Sequence, residues 1–205
     1  MNKLRIKPAN TSTTFASQTL IVDALINDLR RKRNSVVHIT THFDSRPGVA
    51  ANSHLLLGDG ELSLAQIEAK THLFDGVDLL TLSACNTGFT NRSEDGREVD
   101  SFGAIAQQLG ARGVIASLWS VNDDSTSTLT QTMYRLRQQT KGMTKDEALR
   151  QAQLALLTGQ LKRANAQTVP DRSVVPNVPQ NARKPLTDWS HPYFWAPFIL
   201  IGNWK

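Results

Sequence analysis

The chain has one cysteine, Cys85, among 205 residues. A lone thiol excludes an intramolecular disulfide framework and fits a reducing, cytoplasm-like setting. No run approaches the ~20 consecutive apolar residues a spanning helix needs, so no membrane partner is expected. The opening MNKLRIKPANTST is basic but lacks an apolar core, so it does not read as a secretory signal. These absences together give a cytoplasmic expectation. Neither G-x-x-x-x-G-K-[ST] nor G-x-G-x-x-G occurs, so a nucleotide cofactor lacks its usual signature. His38, His42 and Cys85 could form part of a metal site, but a fourth position is needed, and no second cysteine or H-E-x-x-H supports one. GDGEL resembles half an EF-hand loop without the remaining ligands. The expectation is no cofactor and no metal.

The formal charge of +5 raises nucleic acid as a partner. Its distribution argues against that. Residues 1–35 carry +5, residues 158–188 carry +3, and residues 36–157 carry −4. The basic run Leu29–Arg33 suits the last turn of a helix, where cations meet the negative dipole end. The middle of the chain, where the apolar strands lie, is mildly acidic.

What is present is an alternation of strands and helices. Residues 1–16 lack periodicity and read as a flexible tail. Leu20–Arg33 places Ile21, Leu25 and Leu29 on one helical face. SVVHITTHF is rich in β-branched residues and reads as a strand. HLLLGDGEL reads as a short hairpin. Ser63 can cap a helix over Leu64–Leu73. GVDLLTLSAC and RGVIASLW are two further buried strands, with a short helix over Phe102–Leu109 between them. A helix is expected over Ser125–Gln139, capped by the Asp and Ser residues of SVNDDST. Thr144 and Glu147 have capping-box spacing for a helix ending near Leu157. Residues 158–188 hold four of the eight prolines and read as a long insert. HPYFWAPFILIGNWK closes the chain as an aromatic-rich strand whose prolines suit an edge or bulge. The expected organisation is a tail over 1–16 and a single domain over 17–205.

Near-continuous apolar strands alternating with helices predict an α/β fold with a parallel sheet covered on both faces. In such sheets ligands gather at the carboxyl ends of strands. His42 and Cys85 each stand at such an end. If their strands are neighbours, imidazole and thiol share one edge of the sheet, as a Cys–His dyad needs. The imidazole would then favour the thiolate. Asn86, Thr87 and Gly88 follow, small enough for backbone N–H groups to turn toward an oxyanion. A buried small hydrophobe is the competing reading of Cys85, and a packed strand histidine is the reading of His38.

VVHITTHF, SHLLLGDGELSL, DLLTLSACNTG, GARGVIASLWSVNDDST, TKDEALRQAQLALL and HPYFWAPFILIGNW, in this order, resemble the CHAT domain, a caspase-like cysteine-peptidase family related to separases. The resemblance runs from about Val36 to Trp204, leaving 158–188 unmatched. It implies a caspase-like three-layer α/β/α sandwich with a mostly parallel central sheet. It also implies that His42 is the base and Cys85 the nucleophile. The family commonly has glycine after the catalytic histidine, with a backbone N–H that serves the oxyanion hole. Here Phe43 stands there; it keeps the N–H, but its side chain would narrow the approach. Oxyanion donors are therefore expected at Phe43 and Cys85.

The resulting expectation is a cysteine endopeptidase acting on a protein substrate, in a regulated-proteolysis or bacterial defence setting as the family suggests. A separate sensor or repeat protein is an expected partner, since family members often carry tetratricopeptide repeats. SLWSVNDDST follows a strand end and can wall the S1 pocket. Separase-like relatives have an aspartate in a similar context, so Asp123 is the expected S1 carboxylate, suited to Arg or Lys at P1. Helix capping is its competing role. Asp44 could steady the imidazole. The alternative function is an inactive caspase-like scaffold that binds partner proteins.

Overall fold

The strand over Val36–Asp44 alternates strictly. Val37, Ile39, Thr41 and Phe43 are buried, Thr40 and His42 are exposed, and His38 is half-buried. That period of two sends every second side chain into a core and leaves the intervening ones on the opposite face. The computed structural model describes residues 12–16, 22–31, 34–44, 53–58, 60–86, 97–119, 121–161 and 188–205; at 12–16, 44, 84–86 and 97–101 it describes the backbone. These residues fall into two compact units, 1–120 with 199–203, and 121–198 with 204–205.

The first unit is an α/β fold built on a mixed sheet. Its strands are β1 (Ser12–Ala16), β2 (Val36–Asp44), β3 (His54–Leu57), β4 (Gly60–Ser63), β5 (Leu79–Asn86), β6 (Gly113–Ser117) and β7 (Phe198–Gly202), the last from Ile199 on. The order is β4-β3-β2-β5-β6-β7, with β1 paired to β2 outside this path. β2 runs parallel to β5, and β5 parallel to β6. β1 lies parallel to the first half of β2, against Val36–Thr40, while β3 takes His42–Asp44 antiparallel. β3 and β4 form the expected hairpin. Ser12–Ala16, which carries no periodic signal in the sequence, is thus a strand by virtue of its pairing.

Three helices flank this sheet. α1 (Val22–Arg31) buries Leu25, Ile26 and Leu29, with Asp23 in its first turn and Arg30 and Arg31 in its last, all in favourable register with the dipole. α2 (Leu64–Glu68) starts at Ser63 with a complete capping box: Gln66 N donates to Ser63 Oγ at 3.1 Å, and Ser63 N donates to Gln66 Oε1 at 2.8 Å. Its cap is where the sequence put it, but the helix is shorter than expected. α3 (Arg97–Gln108) buries Phe102, Ile105 and Ala106 and leads into Gly110 at φ +108°. A Cβ there would stand 2.3 Å from Asp75 Oδ1, so glycine is required by both torsion and space. Side chains of all three helices join Val37, Ile39, Phe43, Leu55, Leu62, Leu80, Leu82 and Val114 in one core.

The amino ends of the strands are tied together by backbone hydrogen bonds. Ser35 O accepts from Asp78 N and Leu79 N at 2.8 and 3.0 Å, and Val77 O accepts from Arg112 N at 2.9 Å. Arg112 O accepts from Asn203 N, just past the carboxyl end of β7, at 2.8 Å. The carboxyl ends differ. The β5–β6 ladder stops at Thr81 and Ile115, whereas the β2–β5 ladder continues to Phe43 and Asn86.

The second unit holds α4 (Asp123–Gln139), α5 (Lys145–Leu157) and a 3₁₀ turn at Pro192–Phe194. Leu129, Met133, Ala148, Leu149, Ala152, Leu156, Trp189, Phe194 and Phe198 are among its buried side chains. The Gln153 amide donates to Trp195 O and Phe198 O, both at 3.0 Å. Two local expectations change here. Thr144 makes no side-chain cap bond, and the Glu147 carboxylate that would complete the box pairs with Arg150 and Gln151. The closing aromatic stretch is strand only over Phe198–Gly202, since Pro192 opens a 3₁₀ turn; β7 lies at the sheet edge, as its prolines suggested. The expected insert lies, from residue 162 to 187, outside the described residues.

Candidate active site

β2 and β5 bring the two residues singled out in the sequence into one row. In their parallel register His42 is the Cα partner of Cys85, and Phe43 of Asn86. Adjacent strands lie about 4.8 Å apart, so the two backbones are nearest neighbours. His42 is exposed. The same register pairs His38 with Thr81 and Thr40 with Ser83. Three alternate rows therefore join an imidazole or hydroxyl residue of β2 to a hydroxyl or thiol residue of β5.

Phe43 is 3 % exposed and belongs to the core shared with Val37, Ile39 and Leu55. The sequence reading set its ring in the approach to His42; alternation along β2 instead sends it to the opposite face. Beside it Thr41, also buried, donates its hydroxyl to Leu56 O, binding β2 to β3 next to His42. Asp44 is the backbone partner of His54.

His38 packs within the strand, as expected. Its Nε2 lies 2.8 Å from Ser83 Oγ and 3.4 Å from Thr40 Oγ1. Burial pushes its pKa down to about 4, so the ring is neutral near neutral pH. A metal reading of His38 loses this nitrogen to Ser83. Among the described residues no group of three or more His, Cys, Asp or Glu could hold a metal ion.

Asp123 is the first residue of α4 and is exposed. It belongs to the second unit, His42 and Cys85 to the first. Capping of α4, assigned from the sequence to Asp and Ser residues, falls to Asn122. Its Oδ1 accepts from Asp124 N at 3.0 Å and Ser125 N at 3.4 Å. Asp123 is thereby relieved of that role.

Ser83 and Thr40 escaped the sequence reading. A signal for them exists: Thr81, Ser83 and Cys85 alternate through an otherwise apolar run, matching the period of His38, Thr40 and His42. No helix among the described residues is long and apolar enough to cross a membrane.

None of the curated proteins compared gives a significant match to the chain. The model of one family, the CHAT domain, matches residues 4–203. That span begins well before Val36, where the recognisable motifs start, and takes in β1 and α1. The chain therefore belongs to the CHAT domain family, a family of caspase-like peptidases.

Proposed function

We propose that the chain is a cysteine endopeptidase in which Cys85 is the nucleophile and His42 the general base. The observation that carries this reading is the β2–β5 register, which makes the two residues backbone partners at the carboxyl end of the sheet. The caspase-like α/β/α arrangement expected from the sequence belongs to the same reading.

The thiolate of Cys85 attacks the scissile carbonyl carbon, and backbone N–H groups of Phe43 and Cys85 hold the oxyanion. The C–N bond breaks as the His42 imidazolium gives its proton to the leaving amine. Water then attacks the thioester while His42 takes its proton, releasing the carboxyl product and the free thiol. The same reading includes a preference for Arg or Lys at P1, with the Asp123 carboxylate as the group that selects it. Two observations support that choice: Asn122 fills the capping role, and Asp123 is exposed. The substrate is a protein, and a separate sensor or repeat protein regulates the cut.

The test uses an electrophilic peptide with arginine at P1 and an array of peptides spanning all P1 residues. The parent protein is expected to be labelled at Cys85 and to cut after Arg or Lys. Cys85→Ala and His42→Ala should abolish both reactions, and Asp123→Ala should remove the preference for a basic P1. A folded parent that neither labels nor cuts would leave a partner-binding scaffold as the function. Cleavage that survives Cys85→Ala would overturn the nucleophile.

A further inference from the structure

The carboxyl half of β5 is held on one side only by the described ladders. Its pairing with β6 ends at Thr81, while its pairing with β2 runs five rows further, through Thr40–Ser83 and His42–Cys85 to Phe43–Asn86. A strand that has left one neighbour depends on the other for its alignment. Backbone ladder bonds fix its register, and side-chain ties across the rows fix its twist and spacing.

One such tie is present. His38 stands opposite Thr81, and its Nε2 reaches diagonally to Ser83 Oγ at 2.8 Å, two rows further on. Thr40, opposite Ser83, adds its hydroxyl at 3.4 Å. The bond spans β2 and β5 two rows past the last β5–β6 pair and two rows short of Cys85. Ser83 is 9 % exposed, so loss of its partner would leave a nearly dry hydroxyl.

We propose that His38 is a positioning residue: through Ser83 it holds the free half of β5 against β2, and so keeps Cys85 in line with His42. The inference rests on the dyad reading above. His38 takes no proton in the reaction; it acts as a neutral hydrogen-bonding group. Gln at this position can place an amide nitrogen or oxygen near the site of Nε2, whereas Ala cannot.

Because Cys85 is the only thiol, alkylation by iodoacetamide reports on it alone. Its rate is followed against pH in the parent, His42→Ala, His38→Ala, His38→Gln, Ser83→Ala and His38→Ala/Ser83→Ala, with melting temperatures alongside. His42→Ala is expected to move the midpoint of the profile up toward the ordinary thiol value of about 8.5. His38→Ala and Ser83→Ala should each move it part of the way, the double variant no further, and His38→Gln should restore the parent profile. Midpoints unmoved in folded His38→Ala and Ser83→Ala, with a shifted His42→Ala, would overturn the positioning role and leave the dyad standing. A profile unmoved by His42→Ala would overturn the dyad, and the positioning role with it. If His38→Ala does not fold, Ser83→Ala decides the question.

Discussion

Phe43 illustrates how one side chain can be misjudged from its neighbours in sequence. It directly follows the proposed base, yet it lies on the other face of β2 among Val37, Ile39 and Leu55. Its ring is a core component, and its backbone is what the site can use. Truncating a phenylalanine with 3 % exposure should therefore act on stability. Phe43→Ala is expected to cost about 3–5 kcal/mol in urea unfolding, through lost burial and a residual cavity. Phe43→Leu should lose far less and keep peptide cleavage. A Phe43→Leu protein that is stable but inactive would place the ring in the substrate path after all.

Among the elements, α4 separates a cap from a candidate specificity residue. Asn122 satisfies two of the amide donors that open the helix, while Asp123 and Asp124 supply negative charge near the positive dipole end. Asn122→Ala should cost about 1 kcal/mol in thermal or urea unfolding. Asp123→Ala should cost well under that, so a loss of cleavage after Arg or Lys in that variant would not reflect unfolding. The reverse order of the two stability losses would show that Asp123 carries the cap. These elements were largely legible. β2, β5, β6 and the β3–β4 hairpin have strong local signals, and Ser63 marks the start of α2. β1 was not legible, because STTFA is too short and too polar to announce a strand; only β2 makes it one. Thr144 and Glu147 had the right spacing for a capping box, but the Arg150 guanidinium competes for the carboxylate at 2.6 Å and wins.

For the whole molecule, His38 links the candidate site to stability. Its folded-state pKa of about 4 lies below the value of 6.5 for an unburied histidine. Between these two values the unfolded chain binds the proton more readily than the folded one. The stabilising contribution is therefore complete above pH 6.5, falls as pH is lowered through this window, and is gone below about 4. Its full size is on the order of 3 kcal/mol. Urea unfolding of the parent should weaken from pH 7 to pH 4, and His38→Gln, which has no proton to gain, should show a flatter profile across that window. Equal pH profiles for the two would mean that the imidazole is not desolvated in the folded protein.

The sequence by itself determined the alternation of strands and helices, the likeness to the CHAT domain, and the standing of His42 and Cys85 at strand ends. Each of these is a local property, carried by hydrophobic period, turn residues or short motifs. Tertiary structure decided which residues are partners. Register, the early end of the β5–β6 ladder, the bond from His38 to Ser83 and the strand at Ser12–Ala16 all depend on segments far apart in the chain. A one-residue slip of β2 against β5 would leave every local signal intact and separate His42 from Cys85. No local pattern encodes that choice; the burial of Val37, Ile39 and Phe43 against the rest of the core does.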